Sequence, residues 1–401
     1  MTKELKAQWY WLVGGGPMQL RALRYLKEKN FNIILSDGNK DCPGRAFADL
    51  FFELDIHDLD SHLDLLNGPL LEVKDQITGV SCIATDSHQT VAGISETLKI
   101  SGISRELSNL IGDKVKLRET LTSIGVPQPA YIEFSKSNNL EKVLDEVKSR
   151  FSTNSDLIIK PLGWSASKGI KVLQLNSIST KDLLEAIEVS RDGFAVIEEL
   201  LEPDGKLASE SSIETLVRGG TVEYLNIVDR IFSDDLIHFT DKRIPTSLNV
   251  GVEFGHINPS SRAESEISSI IKDLQKFVDY LVTSNKYKGE TFILKADILF
   301  SEKGPIVLEA TPRTSGGWDS SHTSPSRGLR IQELAIEISL GSKIIPGDYI
   351  SRSEKFIAVV TDVSSESVNC LGRTFWAGEL QGDPVSAIKS ALDAKKTGKP
   401  L

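Results

Sequence analysis

The residues of this chain whose types and spacing could do chemistry begin with two acids on a hairpin. In "ADILFSEKGPIVLEATPR", Asp297 lies on one apolar arm and Glu309 on the other, with a turn at Lys303-Gly304 between them. Strands folded back in this way can bring both carboxylates together. Carboxylates that close repel and raise each other's pKa unless a cation stands between them. Hard oxygen donors favour Mg²⁺, which is commonly held by one or two carboxylates together with substrate phosphates. Arg313, four residues past Glu309, could add a planar guanidinium for an anionic oxygen. Taken alone, the pair is read equally well as two exposed acids.

Four upstream segments carry compatible chemistry. Lys114 sits in "GDKVKLRETL", and Lys160 ends the apolar run "LIIKP", where a strand would present its ammonium rigidly. The loop "GWSASKG", with Ser165, Ser167 and Gly169, has the small and hydroxylic residues that let backbone N–H groups approach anionic oxygens. It lacks the residue order of a Walker loop. In "VIEELLEPDGKLASESSIETLV", apolar residues flank Glu198 and Glu199, which suggests a strand edge whose backbone could pair with an adenine. Glu210, Ser212 and Glu214 alternate, so a strand puts all three on one side. Each has a plainer reading: a surface lysine, a flexible hairpin tip, a solvent-facing stripe.

A second candidate stands at the start. "WYWLVGGGPMQL" is a strand, a glycine turn and a helix, and Gly14 and Gly16 match the first two positions of the dinucleotide fingerprint, with Asp37 at a plausible distance. The third position is Gln19, and Pro17 starts the helix, where Pro is favourable. The turn is sound βαβ chemistry whether or not it meets a phosphate.

The elements that must position these residues fall into three stretches. Residues 1–112 alternate strands and helices and predict a parallel α/β sheet. Residues 113–345 read as an α+β body with hairpins and a long amphipathic helix at "ISSIIKDLQKFVDYLVTSN", including a lid-like part at about 125–197. Residues 346–401 read as a small α+β segment. The net charge of −10 argues against a nucleic-acid binder. No stretch reaches the roughly 18 apolar residues of a membrane span, and the N-terminus lacks a secretory h-region. Cys42, Cys82 and Cys370 suit reduced thiols, and cytoplasmic location is the expectation.

In this order, the motifs resemble the ATP-grasp superfamily of carboxylate–amine ligases. The resemblance runs from about Gly112 to Gly317 and rests on "DK" with Lys114, "IIKP" with Lys160, the "SASKG" loop, "IEEL", "ESSIE" and "D…E-x-T-x-R" ending at Arg313. The first stretch looks like the α/β domain that precedes an ATP-grasp fold. The resemblance implies that Lys114 and Lys160 contact ATP phosphates, Lys160 also lying near the adenine. Ser165 to Gly169 would close over the β- and γ-phosphates. Glu198 to Leu201, with Glu199, would form the hinge under the adenine, Glu198 facing its exocyclic amine, and Glu210 would hold the ribose. Asp297 and Glu309 would bind Mg²⁺, with Mn²⁺ as a substitute, and Arg313 would stabilise an acyl phosphate or the transferring phosphoryl group. The family usually has Asn two residues after the second acid; here the residue is Thr311, a shorter ligand. His238 and His256 border the acceptor pocket as structural or binding residues, and "TSGGWDSSHTSPSRG" would line it.

The activity implied is amide formation from small-molecule carboxylate and amine substrates through an acyl phosphate, with ADP and phosphate released, as in amino-acid ligases. A purine-pathway type activating formate or bicarbonate is the alternative within enzymes, with the glycine turn binding a sugar phosphate. A nucleotide-binding protein without turnover is the alternative outside them. A homodimer is common in the superfamily. On this reading the glycine turn imitates a nucleotide site, and an anion held there is part of the substrate rather than NAD.

Overall fold

The computed structural model describes residues 8–152, 155–163, 169–232, 253–361 and 375–398. Its first sheet is built from β1 (Trp9–Val13), β2 (Asn32–Asp37), β3 (Leu50–Glu53) and β4 (Ile77–Ser81). The strand order is β3-β2-β1-β4 and every pair is parallel. Helices α1 (Leu20–Glu28) and α2 (Leu59–Asn67) lie between strands, and α3 (His88–Leu98) follows β4. Both faces are covered, and side chains alternate between them. Tyr10, Leu12, Ile33 and Leu35 pack with Ala22, Leu23 and Leu26 of α1, while Trp11, Val13, Ile34 and Val80 pack with Leu66 of α2 and Ile94 of α3.

Helices α4 (Arg105–Gly112) and α5 (Lys114–Ser123) follow. The Asp113 side chain accepts from the Val115 and Lys116 amides and so caps α5. That cap places Lys114 at the first helical residue. A second, antiparallel sheet has the order β5-β8-β6-β7, from β5 (Tyr131–Ser135), β6 (Asp156–Pro161), β7 (Lys171–Gln174) and β8 (Phe194–Glu199). Helices α6 (Leu140–Arg150) and α7 (Thr180–Val189) supply Val147, Leu183 and Ile187 to its core, against Leu157, Ile159 and Ile197.

The third sheet carries the candidate site. Its strands are β9 (Glu210–Arg218), β10 (Thr221–Ile231), β11 (Gly255–Asn258), β12 (Phe292–Ser301), β13 (Gly304–Thr311), β14 (Ile357–Thr361) and β15 (Phe375–Ala377). The order is β13-β12-β9-β10-β11-β14-β15, antiparallel throughout. β9 turns into β10 at Gly219-Gly220, both with positive φ (57° and 79°), a backbone that side chains other than glycine's rarely adopt.

One face of this sheet is apolar. Ile213, Ile227, Leu294, Ala296 and Ile298 pack on Leu107 and Ile111 of α4, Leu117 and Leu121 of α5, and Phe277 and Leu281 of α8 (Glu264–Thr283). A Phe277→Ala change there would cost about 3–5 kcal/mol, combining lost transfer energy and a cavity. The same packing seats Lys114 beside the sheet. The last stretch does not stand apart, since β14 and β15 extend the third sheet beyond β11. Helix α9 (Ile331–Ser339) contributes Ile336 to the first sheet's core and Ile331 and Leu334 to a cluster with Leu216 and Ile293. Helix α10 (Pro384–Lys396) packs Ile388 against Ala358 and Val360. Among the described residues, no helix is long and apolar enough to cross a membrane. Cys42 and Cys82 are buried free thiols, and Cys370 lies outside the described residues.

Candidate active site

Strand register assembles the polar face. Ser212 pairs with Asp297, which pairs with Glu309; in the next row Glu214 pairs with Lys295, which pairs with Thr311. On β10, Asn226 stands opposite Glu214 and Arg230 opposite Glu210. Because side chains alternate, these residues occupy the face opposite Ile213, Ala296 and Ala310, which lie in the core. The expectation that the hairpin brings Asp297 and Glu309 together holds in the register itself. So does the shared side of Glu210, Ser212 and Glu214.

Three cations surround the acid pair. The Lys295 ammonium donates to Asp297 Oδ2 and, at 3.3 Å, to Glu309 Oε1. Arg230 Nη1 lies 3.1 Å from Asp297 Oδ2, and Lys114 Nζ lies 3.6 Å from Glu309 Oε2. Burial works against the Glu309 charge, but Lys295 and Lys114 outweigh it and hold the carboxyl well below its usual range. Among the described residues, Asp297 Oδ1 and Thr311 Oγ1 are buried without a hydrogen-bond partner. Two carboxylates and a hydroxyl with free hard oxygens fit a divalent ion that completes its shell with phosphate oxygens and water. Among the described residues, no group of three or more His, Cys, Asp or Glu side chains could hold a metal by itself.

A second cluster joins the hinge to the sheet. Glu198 is buried at the end of β8, and its Oε2 accepts from Lys160 Nζ at 2.6 Å. Its Oε1 accepts from Arg118 Nε and Nη2 at 3.0 and 2.9 Å. Arg118 also donates to the carbonyls of Val307 and Leu308, so one guanidinium ties α5, β8 and β13 together. Burial opposes the Glu198 charge, yet Lys160 and Arg118 lower its pKa. The Glu198 carboxylate is therefore committed to two cations rather than open to a base. The Glu199 and Leu200 amides donate to Ala130 and Asp156 carbonyls, which leaves Leu201 as the next hinge residue. Gly169 resumes the chain after Gly163 with a positive φ of 75°, while Ser165 and Ser167 lie outside the described residues. Burial pushes Glu210 up to about 7, against the pull of Arg230.

Arg313 is placed by the first sheet. Its Nε and Nη2 both meet Asp86 Oδ1, at 2.7 and 2.6 Å, and its Nη1 donates to the Thr314 carbonyl. The Ala84 amide donates to Thr314 Oγ1 at 2.9 Å. The loop after β4 is thus clamped to the exit of β13. On the acceptor side, the Ser315 amide donates to Glu214 Oε1 at 2.7 Å, and Ser315 Oγ donates to Asp319 Oδ2 at 2.5 Å. Glu214 Oε2 is buried with no hydrogen-bond partner among the described residues. Burial pushes Glu214 up to about 7, with Asp319 adding to the effect. His256 Nε2 lies 2.5 Å from Glu253 and Nδ1 lies 3.2 Å from Asp319. His238 lies outside the described residues.

In the glycine turn, both polar backbone atoms of the middle residue, Gly15, are occupied. The Gly15 amide donates to Asp37 Oδ2 at 2.7 Å, and the Gly15 carbonyl accepts from the Gly44 amide at 2.8 Å. A Cβ at Gly44 would lie 2.7 Å from that carbonyl, so the approach requires glycine. Asp37, the acid that the fingerprint would aim at a ribose, instead caps the turn. Lys295, Arg230, Arg118 and Asp86 are the site residues that sequence reasoning missed.

Comparison with known proteins agrees with this geometry. The sequence pattern described as "Phosphoribosylglycinamide synthetase, ATP-grasp (A) domain" matches residues 112–316, just over half of the chain. The chain belongs to that ATP-grasp family. The matched span holds Lys114, the hinge, the acid pair and Arg313. It is 22% identical over 357 residues to Multifunctional protein URA2 of Saccharomyces cerevisiae, covering 84% of this chain and 14% of that one. It is 20% identical over 352 residues to Multifunctional protein ura1 of Schizosaccharomyces pombe, covering 85% and 14%. The chain thus spans a small part of these relatives. Among solved structures, the ADP complex of purK, an N5-carboxyaminoimidazole ribonucleotide synthetase, superposes with a TM-score of 0.69 at 14% identity, over 98% of this chain and 97% of that one. The L-amino acid ligase from Bacillus licheniformis gives 0.64 at 16% identity, over 89% and 81%. Phosphoribosylglycinamide synthetase from Anaerococcus prevotii gives 0.61 at 15%, over 90% and 82%. These likenesses establish the parallel α/β sheet followed by antiparallel ATP-grasp sheets.

Proposed function

We propose that this chain is an ATP-grasp ligase that joins a small carboxylic acid to an amine, of the amino-acid type, through an acyl phosphate. Lys160 and Lys114 hold the ATP phosphates, with the Ser165–Gly169 loop as their cover. The hinge from Glu199 to Leu201 offers backbone to the adenine, Glu198 orients Lys160, and Glu210 meets the ribose. Asp297, Glu309 and Thr311 hold Mg²⁺, which when bound neutralises phosphate charge. Arg313, oriented by Asp86, faces the anionic oxygens of the acyl phosphate with its remaining N–H groups. Phosphoryl transfer asks mainly for positioning and charge neutralisation, and the cations around the acid pair supply both. We assign residues 1–112, 113–345 and 346–401 to the preceding α/β domain, the ATP-grasp body and a C-terminal extension of its sheet.

The observation that favours the amino-acid type is the acid at each end of the substrate path. Asp37 caps the Gly15 amide and sets a negative charge where a sugar phosphate of the purine type would be held. At the other end, Glu214 presents a buried, unpartnered carboxyl oxygen beside Asp319, which suits a cationic amine. The test is ADP and phosphate release from Mg-ATP with pairs of amino acids, and separately with formate or bicarbonate plus an amine. Release that requires a particular amino acid and amine supports the reading. Release with formate or bicarbonate alone among the acids replaces it with the purine type.

A further inference from the structure

Lys295 is 2% exposed and lies two residues before Asp297 in a mostly apolar strand, and its ammonium reaches both members of the acid pair. A buried ammonium is unfavourable unless carboxylates compensate it, and Asp297 and Glu309 do so from either side. The remaining donors are few. Asp297 Oδ2 also meets Arg230, and Glu309 Oε2 faces Lys114. Among the described residues, Asp297 Oδ1 and Thr311 Oγ1 are left without a partner, enough with Glu309 for one hard cation. A second divalent ion between the acids would press against the Lys295 ammonium, like charge on like charge. In the neighbouring row, Lys295 stands opposite the short side chain of Thr311 in register.

We propose that Lys295 is a built-in cation that replaces one divalent ion at the Asp297–Glu309 pair, so that the chain holds its nucleotide with a single divalent ion on Asp297, Glu309 and Thr311. The inference rests on the ATP reading above. It makes Thr311 the partner of Lys295: a shorter ligand where the second ion is no longer needed.

The test counts Mn²⁺ by electron paramagnetic resonance on the full chain with a non-hydrolysable β,γ-imido ATP analogue, whose binding is measured separately by calorimetry. Wild type is expected to bind one Mn²⁺ per chain with the spectrum of an isolated ion. Lys295→Met removes the charge at similar length and is expected to bind two, with spin–spin coupling between them. Lys295→Arg keeps the cation and is expected to bind one. Two coupled ions in wild type overturn the proposal, even where Lys295→Met does not fold. One ion in both wild type and a folded, analogue-binding Lys295→Met also overturns it. Failure of wild type to bind the analogue overturns the ATP reading itself, a result distinct from a count of two.

Discussion

The glycine turn at Gly14–Gly16 and the β12–β13 hairpin both invite a phosphate reading, and they differ in what meets their polar atoms. In the turn, an acid answers an amide: Asp37 accepts from Gly15 and sets a negative charge beside the turn. In the hairpin, cations answer the acids: Lys295, Arg230 and Lys114 gather on Asp297 and Glu309. A phosphate is repelled by the first arrangement and attracted by the second. The two regions also share a frame, because Asp86 at the end of the first sheet holds Arg313 at the exit of the hairpin. The lesson is that a loop's shape suggests a ligand, and the charges already bound to it decide the matter.

The comparison can be broken most directly at Glu309. Glu309→Gln keeps the size and removes the charge, and ADP formation is expected to fall by at least about a thousandfold, given how much preorganised charge contributes in such sites. A retained rate, with circular dichroism unchanged, would return the hairpin to a pair of surface acids. Next in size is Lys160→Met. Loss of a charge-assisted hydrogen bond of about 1.5–3 kcal/mol should raise the ATP KM by about 10- to 100-fold.

A smaller effect is expected in pH dependence at the acceptor end. Burial raises Glu214 to about 7, so its contribution to stability is present below its unfolded pKa and is lost as pH rises towards and through 7. Glu214→Gln should therefore be more stable than wild type at pH 8, by up to about 3 kcal/mol from a shift of this size, and nearly equal at pH 4.5. Urea unfolding at the two pH values checks this, and an equal difference at both would refute it. The smallest effect belongs to the glycine turn. Asp37→Asn keeps an acceptor for Gly15 and should cost about 1 kcal/mol of stability while leaving the ATP KM within about twofold. A large KM change would place the nucleotide at the turn after all.

Much of this was legible before any coordinates. The hairpin through Lys303-Gly304, the alternation of Glu210 and Glu214, and the amphipathic helix over "ISSIIKDLQKFVDYLVTSN" are local patterns, and local patterns survive folding. Lys295 and Arg230 are in principle readable as charges set in mostly apolar strands, Lys295 in phase with Asp297 and Arg230 beside Asp229. Their role is hidden in the sequence, because a charge in such a run has no partner until strands are paired. Asp86 and Arg118 left no signal. Asp86 meets a residue 227 positions away, and Arg118 meets Glu198 and two β13 carbonyls across three elements. The continuation of the third sheet into β14 and β15 was equally hidden, since edge pairing depends on which strand lies free.

The central claim is that a carboxylate attacks the γ-phosphate of ATP at the Asp297–Glu309 pair. The decisive measurement uses the acid that supports ADP release, labelled with ¹⁸O in its carboxylate, and analyses the phosphate by mass spectrometry. One ¹⁸O per phosphate released is the predicted result, with the label transfer lost in Glu309→Gln. Unlabelled phosphate accompanying amide product would contradict the account.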